Sequence, residues 1–147
     1  MTLRQVLQGV LAATVLLLTS TPGRAHVLSD NMSEAPMYKE VASAQTWIGV
    51  KFTTDGQAWN LSSVSLLGYV TGSPENVIVA LYSNVGAGLG QPGVLLAPLA
   101  LPPGPADGTL WVADGIVLQP NTSYWVVASA QPSTYLEWWY TLSSEGT

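Results

Sequence analysis

From residue 46 to residue 141 the chain is a succession of short apolar runs broken by Gly, Pro, Asn and Asp. Residues 46–52 alternate, with Ile48, Val50 and Phe52 on one face, the period of a half-buried strand. Thr54-Asp55-Gly56-Gln57 carries turn chemistry. Residues 61–70 then set Val64 and Leu66 against Ser63 and Ser65, until Thr71-Gly72-Ser73-Pro74 breaks the run. The densest β-branched stretch, residues 76–83, puts Val77, Val79 and Leu81 on one face and Ile78 and Tyr82 on the other. Apolar groups on both sides predict a central strand.

A Gly-rich loop at 84–93 and a weaker strand at 94–101 come next, ended by Leu101-Pro102-Pro103-Gly104-Pro105. Residues 109–113 and 115–118 read as one strand interrupted at Asp114-Gly115, or as two short ones, since Gly in a strand marks a bulge or bend. Gln119-Pro120-Asn121 turns into a strand at 122–129, and Gln131-Pro132-Ser133 turns into a last one at 135–141. Seven or so short strands without a helical period predict an all-β fold, an antiparallel β-sandwich of jelly-roll-like form.

The first residues follow another pattern. Arg4 precedes an apolar run at 10–18, and Pro22, Gly23 and Ala25 follow it. A positive start, a short apolar segment and small residues before a cut define a secretory signal peptide. Residues 1–25 are therefore expected to be a cleaved signal helix, with His26 opening the mature chain. The apolar run is shorter than the ~20 residues of a spanning helix, so no membrane span is expected in the mature chain. Residues 26–44 form a polar lead, and 45–147 the sandwich domain. The expected location is secreted, extracellular or at the cell surface, with the periplasm also open.

Cleavage leaves Lys39 and Lys51 against all nine carboxylates, a formal charge of −7. Two lysines cannot neutralise a run of phosphates, which argues against nucleic acid and against anionic membrane surfaces. Cysteine is absent, so an exported domain of this length has to draw its stability from an apolar core.

The order of three segments resembles the bacterial choice-of-anchor R type of exported domain. They are Val50-Lys51-Phe52-Thr53-Thr54 with Leu61-Ser62-Ser63-Val64-Ser65-Leu66, the run 77–83 leading through the Gly-rich loop into Gln91-Pro92-Gly93-Val94, and Ile116-Val117-Leu118-Gln119-Pro120-Asn121-Thr122-Ser123-Tyr124-Trp125. The resemblance covers residues 45–141 and implies an exported or surface β-domain. It supplies no catalytic residues.

Candidate chemistry is sparse. One His and no Cys exclude the usual zinc sets and the Cys–His or Ser–His–Asp arrangements. A mature His26 offers an amine and a ring to copper, but the second His of such a centre is missing. Asp107, Asp114 and Glu137 are the carboxylates available to a glycosidase pair. The two aspartates precede Gly and read as turn residues instead. Gly86-Ala87-Gly88-Leu89-Gly90 lacks the Lys-Ser/Thr of a phosphate loop, and Pro92-Gly93 prevents the helix behind it. No catalytic residue, metal ligand or cofactor is expected.

The aromatic residues carry the remaining functional promise. Six Trp and six Tyr accompany a single Phe, a bias toward rings with an apolar body and a polar edge, suited to half-buried positions and to stacking on sugars. Tyr135, Trp138, Trp139 and Tyr140 crowd the last strand, with Trp138 and Tyr140 on one face and Trp139 on the other. Trp47, Trp59 and Trp111 could extend a platform. These rings suit either a sandwich core or a ligand surface. The expected function is thus a non-catalytic structural or adhesive module, partnered by envelope or matrix components. The alternative is a carbohydrate-binding module that grips polysaccharide with the last strand.

Overall fold

A computed structural model describes residues 13–18, 25–27, 38–88, 90–102 and 110–140 of the chain. The alternation at 46–52 becomes strand β4 (Ile48–Thr53), whose Ile48, Val50 and Phe52 are buried. The same rule builds the strands that follow it. They are β5 (Trp59–Leu66), β6 (Gly68–Thr71), β7 (Val77–Val85), β8 (Gln91–Leu99), β9 (Leu110–Leu118), β10 (Ser123–Ala130) and β11 (Tyr135–Tyr140). Three strands precede β4: β1 (Ala13–Leu18), β2 (Ala25–Val27) and β3 (Tyr38–Ala42). A 3-10 turn, Pro74–Asn76, leads into β7. Among the described residues no helix is long and apolar enough to cross a membrane.

Every pairing is antiparallel. One sheet has the order β4–β10–β7–β8. In the other layer β5 and β6 form one run bent at Leu67, whose carbonyl accepts the Trp139 N–H at 2.8 Å. Before the bend this run pairs with β9, and after it with β11, which in turn pairs with β3. Counting from β3, with β5–β6 as one strand, the eight strands are ordered first-eighth-third-sixth and second-seventh-fourth-fifth. That is jelly-roll connectivity. Two hydrogen bonds between Ala100 and Val112 tie the end of β8 to β9 and join the edges of the two layers.

The core lies between the layers. Ile48, Val50, Phe52, Val79, Leu81 and Val126 face Leu61, Val64, Leu66, Trp111, Leu136 and Trp138. Turn chemistry is seen at Asp55, whose carboxylate accepts the backbone N–H of Gln57 and the indole N–H of Trp59. The interrupted stretch near Asp114 is a single strand with extra residues. Leu61 pairs with Ile116 and Ser63 with Val112, and Gly115 takes φ +66 in the bulge between them.

Three elements differ from the sequence reading. Strand β3 lies inside the segment read as a polar lead, so the sandwich begins before residue 45. It is a short edge strand with Lys39 and Glu40 exposed, which leaves little hydrophobic period to detect. The Gly-rich loop is shorter than expected, because β7 continues to Val85 and β8 starts at Gln91. Residues 13–18, expected to lie in a signal helix, form strand β1. It pairs along β5, from Ala13 opposite Leu66 to Leu18 opposite Asn60, and with β2. An uninterrupted apolar run has no period to separate helix from strand, and a sheet edge offers partners for its backbone groups.

Candidate functional site

Successive side chains of a strand point to opposite faces, and same-face neighbours stand ~7 Å apart. In β11 this sends Leu136 and Trp138 into the core, both fully buried, and leaves Tyr135, Glu137 and Trp139 on the outer face. Strand β6 adds Tyr69, which lies directly opposite Glu137. Tyr69 is thus diagonal to Tyr135 and Trp139, within reach of long side chains. On the other side β3 sets Lys39 opposite Trp139 and Val41 opposite Glu137.

The result is an outward-facing aromatic surface around one ion pair. Tyr69 is 61% exposed and Tyr135 47%, while Trp139 is half-buried. The Lys39 ammonium donates to the Glu137 carboxylate at 3.0 Å. This hydrogen bond is the largest influence holding the Glu137 carboxyl below the usual glutamate range. Desolvation opposes it, and the lysine's charge and, least, the neighbouring Trp139 side chain act with it. Such a surface offers apolar ring faces beside charged and phenolic hydrogen-bonding groups, a combination suited to a sugar with one apolar and several polar sides.

The four sequence candidates are thus divided by the fold. Trp138 is a core residue, whereas Tyr135 and Trp139 share the outer face. Tyr140 pairs with Tyr38 at the end of β11, and its side chain lies outside the described residues. Of the further tryptophans, Trp59 and Trp111 are buried and Trp47 is 66% exposed just before β4. The Trp111 indole N–H has no hydrogen-bond partner among the described residues. Tyr69 was missed by sequence reasoning. Its signal was its parity with Ser63 and Ser65 rather than with Val64 and Leu66.

The carboxylates do not converge. Glu137 is engaged by Lys39 on the outer surface, Asp107 lies outside the described residues, and Asp114 is described by its backbone alone. His26 sits in β2 opposite Leu17. Among the described residues no three His, Asp or Glu side chains gather. A cavity of about 600 Å³ is lined by β7, β8, the bulged part of β9 and the turn that leads into β10. Leu81, Leu96 and Ile116 are among its walls, and its polar groups are Ser83, Gln119, Thr122 and Tyr124. The Tyr124 hydroxyl accepts the Gln119 backbone N–H at 2.7 Å.

Comparison with protein-family models, curated proteins and solved structures finds no match to this chain.

Proposed function

We propose that the chain is an exported, non-catalytic adhesive module that holds neutral polysaccharide on the outer face of β3–β11–β6. The observation that carries this reading is the grouping of Tyr69, Tyr135 and Trp139 on one solvent-facing surface around the Lys39–Glu137 ion pair. Rings needed only for the core would be covered, as Trp138 is. The signal-like N-terminus and the resemblance to choice-of-anchor domains support a place outside the cytoplasm. There, an adhesive module would meet envelope or matrix glycans.

The test is retention of the full-length chain on a panel of neutral polysaccharides, alongside Tyr69→Ala, Tyr135→Ala and Trp139→Ala. At least one glycan is expected to retain the wild type and shift its tryptophan emission to the blue. Each variant should lose retention while melting close to the wild type. Equal retention by wild type and Trp139→Ala, or no retention on any glycan, overturns the reading.

A further inference from the structure

The opposite layer has an outer face of its own, built around Lys51, one of the two lysines of the chain. Strands β4, β10 and β7 place Lys51, Trp125 and Tyr82 in one row, because Trp125 pairs with Lys51 on one side and Tyr82 on the other. The Trp125 indole N–H donates to Asn84 Oδ1 on β7 at 2.9 Å. At its other edge the ring borders Gly49 on β4, where an added Cβ would stand 3.4 Å from Cε3 of the indole. Held at β7 and reaching to β4, the indole lies across β10 instead of standing off the sheet. A ring so placed turns a face outward, and Trp125 and Tyr82 are both partly exposed.

Lys51 supplies the chemical bias. Only 7% of the residue is exposed. Its ammonium donates to the Gly88 carbonyl at 2.8 Å. An ammonium has three donors, and buried charges are normally matched by an opposite charge. Among the described residues the ion pair is Lys39–Glu137, and Lys51 has a carbonyl but no carboxylate in reach. The glycine loop bends over this spot, and Asn84 also binds it by donating to the Gly86 carbonyl at 3.1 Å. Beside the row, the hydroxyls of Thr53 and Ser123 form a 2.7 Å pair. A local positive charge, a flat-lying indole, a phenol and hydroxyl groups therefore share one surface of an acidic chain.

We infer that this face is a second binding site, selective for an acidic sugar. The carboxylate of a uronate unit would pair with Lys51 and its ring would stack on Trp125 beside Tyr82. The inference uses none of the residues of the β3–β11–β6 face, so the two readings can fail separately.

The test titrates the full-length protein with a galacturonate hexamer and with a neutral galactose oligomer of similar length, followed by tryptophan fluorescence and calorimetry. Lys51→Met keeps the stem that packs under the loop and removes the charge. It is expected to weaken galacturonate binding at least tenfold and to leave binding of any neutral glycan on the other face unchanged. Tyr82→Ala, at a partly exposed position, should also weaken galacturonate binding if Lys51→Met fails to fold. Trp139→Ala should leave it intact. Absence of galacturonate binding by the wild type, or wild-type affinity in folded Lys51→Met, overturns the inference and leaves Lys51 as a tether for the glycine loop.

Discussion

Trp138 and Trp139 are neighbours in sequence and occupy opposite environments. Trp138 is fully buried between the layers, while Trp139 lies half-buried on the outer face, on the same side of the strand as Tyr135 and Glu137. The backbone that carries them is one continuous strand, paired with β3 on one side and β6 on the other. The difference between them is set by the alternation of the pleat alone. A sheet can therefore hold its stabilising residues and its contact residues at consecutive positions without confusing the two. The inner set is fixed by packing against the opposite layer, and the outer set is left to be chosen by what it touches.

That division is broken most severely by Trp138→Ala. Removing a large core aromatic costs ~3–5 kcal/mol, from lost burial and the cavity left behind. Denaturant unfolding should show that loss, and the variant's glycan retention should fall only with the folded fraction. Gly68→Ala comes next in size. A Cβ at Gly68 would land on the Glu137 carbonyl of the paired strand, so β6 and β11 could keep their pairing only by shifting apart. Such overpacking costs ~1–3 kcal/mol, and it should disturb Tyr69 and Trp139 together. Trp139→Ala is the smallest of these in stability, under about 1 kcal/mol, near the range of surface substitutions. Its predicted effect is instead on retention. If Trp139→Ala proved as destabilising as Trp138→Ala, the outer ring would belong to the packing and the division between the faces would be lost.

The same contrast explains what the sequence could reveal. Alternation along residues 46–52, 76–83 and 122–129 was enough to place β4, β7 and β10, because each has a regular inner row. Alternation also separated Trp138 from Trp139. It could not say which faced inward, since both sides of β11 carry rings and that choice depends on the layer opposite. Strand β3 gave little signal because, among its described side chains, only Ala42 is deeply buried, and its partner β11 lies almost a hundred residues away. Tyr69 was hidden in the run 61–70, where the bend at Leu67 moves the chain from β9 to β11 as pairing partner. Lys51 drew attention only as a charge. Its position beside Trp125 and Tyr82 comes from strand pairing over long sequence separations, which no local pattern encodes.

The smallest expected effect concerns the ion pair at the centre of the aromatic face. Lys39 holds the Glu137 carboxyl below its ordinary range in the folded chain. The group therefore binds a proton less readily when folded than when unfolded. Its contribution is full above the unfolded pKa and is lost as the pH falls through the lower, folded value. Both side chains meet solvent, at 59% and 32% exposure, so the gain is small and weakened by salt. Melting curves of wild type and Lys39→Met should show a slightly more stable wild type at neutral pH, and the difference should close under acid. The other carboxylates titrate in both proteins and cancel from that comparison. A difference that persisted after Glu137 is protonated would mean that Lys39 stabilises the fold otherwise than by pairing with Glu137. The charge would then be incidental to the face it crosses.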